Sequence, residues 1–261
     1  MAWTRLYAEA EPQRVNRWLA QSGVCSRREA EALIARGLVS IDGQTVDDPG
    51  RKIEAGQTLV LDDDAETQLA ATMSVVIHKP IGIVSAQPEA GQIPAVRLLT
   101  REALWGEAAA LPGRDSRLAP VGRLDMDSRG LLILSEDGVV AKAVIGPAST
   151  LEKEYQVRVT GQITERKLAL LRHGLQLDGR QLRPAVVDVI EGQRLCFILK
   201  EGRNRQIRRM CDLVGLRVVD LFRIRVGALR LGDLPEGRWR PITAPERAAL
   251  IKPALQAPQT T

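Results

Sequence analysis

PVGRLDMDSRGLLILSEDG, residues 120–138, runs from a polar, glycine-bounded segment with two carboxylates straight into an unbroken apolar stretch. Pro120 and Gly122 disfavour helix, so the segment reads as extended backbone in which Arg123, Asp125 and Asp127 project to one side and Leu124 to the other. Leu124 then anchors the segment in the core. Residues 131–134 read as a strand, with a helix near 137–144 behind it. The alternation continues outward, with strands expected at 75–77, 155–159, 186–190, 195–199 and 217–226 and helices near 165–172 and 204–214. No repeat period is found, and this order of short elements indicates an α+β fold. The Ala-rich segment 103–117, with Gly and Pro inside it, reads as a surface insertion.

The first 61 residues follow a pattern of their own. Val15, Trp18 and Leu19 recur at helical spacing, and Ser26 stands three residues before Glu29, a capping-box pattern ahead of Ala30, Leu33 and Ile34. Residues 38–41 and 44–46 flank Asp42-Gly43, the pair best suited to a tight hairpin turn, and 57–61 supplies a further strand. The acidic, weakly patterned stretch 62–73 reads as a linker. Four segments are therefore expected: a small domain at 1–61, the linker at 62–73, the main domain at 74–252 and a flexible tail at 253–261.

A chain of 261 residues with 44% hydrophobic and 26% charged residues has ordinary globular composition and room for two domains. Cys25, Cys196 and Cys211 are odd in number and far apart, which suits neither a disulfide framework nor a zinc site. Only His78 and His173 could add imidazole ligands, and neither neighbours a Cys, so no metal is expected. No apolar run approaches the roughly 18 residues of a membrane span, and the expected compartment is the cytoplasm.

The net charge is +5, and its distribution matters more than its size. Between Lys200 and Arg230 nine basic residues face three acidic ones, a local excess of +6 that leaves the rest of the chain at −1. Such a cluster is the footprint of a polyanion-binding surface. In helical projection Ile207, Met210, Cys211 and Val214 make one apolar stripe flanked by Arg208, with Arg205 and Arg209 opposite. Arg208 is thus best placed to meet a partly buried carboxylate, while Arg203, Arg205 and Arg209 are expected to face solvent or phosphate.

VNRWLAQSGVCSRREAEALIARGLVSIDGQTV, residues 15–46, resembles the alpha-L RNA-binding domain first known from a small-subunit ribosomal protein. By that resemblance Arg27 and Arg28 face RNA phosphates and position RNA without reading bases. Seven basic against six acidic residues in 13–61 make the module one that acts by placement rather than by bulk charge. GRLDMDSRGLLILSEDG, residues 122–138, resembles the central motif of the pseudouridine synthase family, in the branch with an N-terminal alpha-L domain. HKPIGIVS (78–85), KEYQVRV (153–159) and EGRNRQIRRMCDLVG (201–215) resemble three further motifs of that family, in order. His78 stands where Asn or Asp is more usual, and Ser128 where Thr is.

The resemblance implies a main domain built on a mixed, mainly antiparallel sheet flanked by helices. It makes Asp125 the catalytic carboxylate, with Arg208 paired to it. Arg123 would help hold the uridine out of the helix, Tyr155 would lie against the target base, and Arg203, Arg205 and Arg209 would contact RNA. The reaction it implies breaks the bond from ribose to the ring nitrogen and rejoins the uracil through carbon five, with no redox change and no cofactor. The uridine must first be flipped out of its stack, at a cost of a few kcal/mol. Asp125 either attacks covalently or removes a sugar proton.

Taken without the resemblance, the same residues allow other readings. Asp125 or Asp127 could cap backbone amides in an Asx turn, and Tyr155 could be an ordinary half-buried strand residue. Side chains two apart on a strand lie roughly 7 Å from one another, near the spacing of inverting glycosidases, but an arginine-rich helix has no role in such an enzyme. The expected substrate is ribosomal RNA or a ribosomal assembly intermediate. Residues 152–159 and 203–212 look closest to the large-subunit 23S enzymes of the branch. The small-subunit 16S enzyme and a non-catalytic RNA-binding assembly factor are the alternatives. A monomer with no membrane partner is expected.

Overall fold

The computed structural model describes residues 3–113 and 116–256. It divides into two compact units, Met1–Met73 with Ser135–Lys142, and Ser74–Leu134 with Ala143–Thr261.

In the first unit, β1 (Thr4–Leu6), β2 (Val39–Ile41), β3 (Gln44–Thr45) and β4 (Thr58–Leu61) form a sheet in the order β1-β4-β2-β3. Helices α1 (Val15–Gln21) and α2 (Arg27–Ala35) belong to the same unit. The Ser26 hydroxyl accepts from Glu29 N while the Glu29 carboxylate accepts from Ser26 N, so the capping box forms as the spacing requires. Asp42 and Gly43 both take positive φ, 50° and 80°, as a two-residue primed turn demands. Trp18 meets Tyr7 and Trp3 edge to face inside an apolar cluster that includes Val15, Leu19, Leu33 and Ile34. The stretch 62–73 is not without pattern: Asp62 caps α3 (Asp63–Ala70), whose Ala65 is buried in that cluster. Three acidic residues in the first turn favour the helix by complementing its dipole, a signal that overrides the weak apolar periodicity. Within the unit Gly138 N also donates to Glu29, and Lys142 Nζ to Ala20 O, which is why Ser135–Lys142 belongs to it.

The second unit is built on a nine-stranded sheet. Its strands are β5 (Ser74–Lys79), β6 (Arg129–Ser135), β7 (Lys153–Thr160), β8 (Val186–Glu191), β9 (Arg194–Leu199), β10 (Arg217–Val226), β11 (Leu229–Arg230) and β12 (Trp239–Pro241), and Ala119–Pro120 adds a short strand beside β6. The order is β8-β9-β7-β10-β6-β5-β12, with β11 beside β10. Pairing is antiparallel at β8/β9, β9/β7, β7/β10 and β5/β12 and parallel at β6/β10, which makes the sheet mixed and mainly antiparallel. Helices α4 (Gly138–Ile145), α5 (Glu165–Arg172), α6 (Gln206–Leu213) and α7 (Ala244–Gln256) complete the chain. Since α7 extends to Gln256, the first four residues of the expected tail are helical, and 257–261 lie outside the described residues.

The insertion at 103–117 has no regular element among its described residues; positions 114 and 115 lie outside them. Its start is tied to the sheet edge, where Ala103 O accepts from Trp239 N and Trp105 N donates to Trp239 O.

Candidate active site

The segment that carries Asp125 is pinned from below. Ser85 Oγ donates to Leu124 O at 2.6 Å and accepts from Leu124 N at 2.9 Å, and the Leu124 side chain is buried, as the sequence requires. Past Leu124 the chain does not stay extended. Ser128 N donates to Asp125 O, closing a turn with Met126 and Asp127 at its corner, and Met126 O accepts from Gly82 N. The two carboxylates therefore converge through a turn rather than by strand alternation.

They converge on arginines, in a pairing that corrects the sequence expectation. Arg208 does point inward, with 12% of its side chain exposed, but it pairs with Asp127 at 3.1 Å and not with Asp125. It also donates to Asp127 O and to Ser128 Oγ. Arg205 is the residue that reaches Asp125, Nη1 to Oδ2 at 3.5 Å, while its fork holds Asp127 at 3.3 and 3.0 Å. The reason is local. Helix α6 starts at Gln206, and Arg205 ahead of it takes a left-handed conformation, φ 48° and ψ 33°, so it lies on no face of the projected helix. Burial works to raise the Asp127 pKa, but hydrogen bonds and charge from Arg205, Arg208 and Ser128 outweigh it and hold the carboxyl below its usual range.

These groups open on a pocket of about 550 Å³ in the second unit, within the range of small-ligand sites. Arg123, Asp125, Tyr155, Arg203, Arg205 and Arg208 all line it. Eight basic residues stand against two acidic ones in its wall, so its field favours a phosphate-bearing ligand. Tyr155 is buried on β7, opposite Arg223 in the register with β10. Arg223, itself buried, donates to Leu131 O and to Arg123 O and so links the strand to the segment that carries Asp125.

Arg209 is absent from the wall and chelates Asp178 at 2.6 and 3.0 Å. Arg203 reaches the wall but spends its donors on Leu177 O, Arg180 O and Gln181 O. Both brace the hairpin of Gln176–Leu177 and Arg180–Gln181, a use that spacing alone does not reveal. Arg27 and Arg28 are exposed in the first turn of α2, in the other unit.

Further basic residues escape the sequence reading. Arg223 and Lys153 line the pocket, and burial followed by the charge of Arg223 lowers the Lys153 pKa. Period-two alternation along β10 could have exposed Arg223 as an inward residue, since Leu221 and Arg223 share the buried side. Lys79, with no exposed surface, donates from Nζ to Pro80 O and Ile83 O, both at 2.7 Å. Burial lowers its pKa from 10.5 to about 8, against the opposing pull of Asp127 and Asp125.

The lysine makes stability depend on pH. Between about pH 8 and 10.5 the unfolded chain holds a proton that the folded chain lacks, so this contribution to stability rises with pH; the penalty is fully present below pH 8. The interval is worth roughly 3 kcal/mol. Relative to Lys79→Met, wild type should gain about that much from pH 8 to 10.5 in urea unfolding. Parallel stability curves for the two proteins would contradict it.

Residues 73–213 match the family model described as RNA pseudouridylate synthase, and residues 13–59 match the S4 domain model. An uncharacterized RNA pseudouridine synthase of Aquifex aeolicus (strain VF5) is 31% identical over 243 residues, covering 92% of this chain and 94% of the relative. The dual-specificity RNA pseudouridine synthase RluF of Escherichia coli (strain K12) is 31% identical over 244 residues, covering 92% and 78%. A crystal structure described as a pseudouridylate synthase superposes with a TM-score of 0.62 at 24% identity, covering 91% of this chain and 99% of that one, and so shares the fold. A basic pocket walled by the GRLD, KEY and RNRQIRR segments, in a chain that matches these proteins along nearly its whole length, belongs to an enzyme of the RNA pseudouridylate synthase family that carries an S4 domain ahead of the catalytic one.

Proposed function

We propose that this RNA pseudouridine synthase isomerises a uridine of large-subunit ribosomal RNA, with Asp125 as the reacting carboxylate. The observation that carries the reading is the place of Asp125, held by a pinned turn at the wall of a basic pocket that Tyr155 also lines. Isomerisation breaks the N1–C1′ bond, forms C5–C1′, and moves a hydrogen from C5 to solvent while N1 takes one up. Atoms and electrons balance within the nucleotide. Attack at C1′ and removal of a sugar proton both need a carboxylate with one oxygen clear of other partners. Tyr155 lies against the uracil, Arg123 fills the space that the flipped base vacates, and Arg208 keeps the turn in place through Asp127. The enzyme works as a monomer in the cytoplasm.

Mapping pseudouridine across ribosomal RNA from cells with and without this gene tests the substrate. Loss of one large-subunit position is expected, and an unchanged large-subunit map overturns the assignment. The dual-specificity relative favours one extension, a second RNA target, which the same mapping over small RNAs detects.

The S4 domain docks RNA through Arg27 and Arg28. Arg27→Ala with Arg28→Ala should weaken binding and flatten the plot of log affinity against log salt by about 0.7 to 0.9 per lost phosphate contact. The single-turnover rate at saturating RNA should hold, so the loss falls on the Michaelis constant. An unchanged salt slope would show that this helix end does not meet RNA. Point substitution is the cleaner test, because Ser135–Lys142 belongs with the N-terminal residues and truncation at 73 would strip it of its partners.

A further inference from the structure

Two guanidinium groups serve two carboxylates in the turn, but unequally. Asp127 is held by Arg208, which is largely buried and anchored besides by Asp127 O, Ser128 Oγ and Val218 O. Asp127 therefore keeps a fixed positive partner without Arg205. Arg205 is different in each respect. Its side chain is 44% exposed, it lines the pocket, and its contact to Asp125 is long for a charged hydrogen bond. Exposed ion pairs of this kind contribute little and exchange readily. The backbone of Arg205 also sits in the left-handed region, which arginine seldom takes, ahead of a helix that it does not cap through its side chain. Asp125, in turn, has no other ion-pair partner among the described residues within 4 Å.

From this imbalance we infer that Arg205 is a positioning residue that changes partners: it spans Asp125 and Asp127 before RNA arrives, then passes its guanidinium to a phosphate beside the target uridine and leaves Asp125 bare toward the ribose. The inference rests on Asp125 being the reacting carboxylate. Charge is conserved across the exchange, since an arginine leaves one anion for another and Asp127 stays neutralised by Arg208. The planar fork suits phosphate as well as carboxylate, so the same group can serve both states. The exchange couples unmasking of the carboxylate to the presence of backbone phosphate.

The test compares wild type with Arg205→Asn and Arg205→Lys on a ribosomal RNA fragment carrying the mapped uridine, with Asp125→Asn alongside. Asn accepts the left-handed conformation and caps helices well, so the first variant keeps the fold, which thermal unfolding checks. Expected for Arg205→Asn is a Michaelis constant raised about tenfold, a single-turnover rate at saturating RNA reduced no more than about threefold, and partial recovery of affinity in Arg205→Lys. A neutral methylphosphonate in place of one phosphate flanking the uridine should weaken wild type about tenfold and leave Arg205→Asn nearly unaffected. An equal methylphosphonate penalty in both proteins, or none at either flanking position, overturns the exchange. So does a saturated rate in Arg205→Asn as low as that of Asp125→Asn, which would place Arg205 in the chemical step itself. Turnover persisting in Asp125→Asn instead removes the reading of Asp125, and the methylphosphonate comparison still reports on Arg205 independently.

Discussion

Asp125→Asn should lower the rate of uridine isomerisation by about a thousandfold or more, the scale on which loss of an attacking or proton-moving group acts. Stability should change by no more than about 0.5 kcal/mol. Two features of the site support this separation. The turn is held by Leu124, Met126 and Asp127, not by the Asp125 side chain, so the geometry persists. Arg205 keeps Asp127 at 3.0 Å when its weaker contact is removed, so no guanidinium is left without an anion. RNA affinity should be equal or slightly tighter, because a negative charge leaves the pocket wall. Single-turnover assays with counted pseudouridine, alongside RNA titration, decide the matter. Substantial residual turnover would remove Asp125 from the mechanism, and a collapse in affinity would mean that the carboxylate chiefly shapes the site.

The largest effect on stability should come from Gly130→Ala. Gly130, the second residue of β6, has φ at +110°, and a Cβ there would stand 2.2 Å from Arg223 O, 2.8 Å from Arg223 N and 2.8 Å from the Phe222 ring. Two of those three are backbone atoms of the strand with which β6 makes its parallel pair, at Gly130↔Arg223, and neither can turn aside. The substitution must push β10 from β6 or break the pair, at a cost of about 4 kcal/mol or more. The same movement displaces Arg223 from Leu131 O and Arg123 O, so the pocket wall loosens with the sheet. A midpoint lowered by about 10 °C or more is expected for the catalytic unit on heating, together with a loss of activity that lower temperature only partly restores. An unfolding curve that overlays the wild type would show that the two strands have slack that their close approach conceals.

Much of the chain was legible in one dimension because its signals are local. Ser26 and Glu29 satisfy each other within one helical turn, Asp42-Gly43 selects its turn by backbone sterics, and helix α5 occupies the residues at which its apolar period was read. Strand runs such as 155–159 and 217–226 were legible for the same reason, since alternation and β-branching act residue by residue. Helix α3 was missed although its signal is local too; an acidic first turn after a capping Asp outweighs a thin apolar stripe. The motifs around Asp125, Tyr155 and Arg208 also carry the family resemblance in sequence alone.

What stayed out of reach were partnerships across long sequence separations. Helical projection put Arg208 on the inward side correctly, yet the carboxylate it meets depends on where the turn at Met126 and Asp127 points, and that follows from Gly82 and Ser85, some forty residues earlier. Arg205 turns from a solvent-facing residue into the partner of both carboxylates because the helix begins two residues later than its pattern suggests, at Gln206. Arg203 and Arg209, basic in a basic cluster, are held by a hairpin more than twenty residues away. The buried ammonium of Lys79 and the forbidden Cβ of Gly130 exist only because other strands close over them. Periodicity, caps and turns are properties of neighbours along the chain; charge pairing, burial and close approach are properties of neighbours in space, and the chemistry of this pocket rests on the second kind.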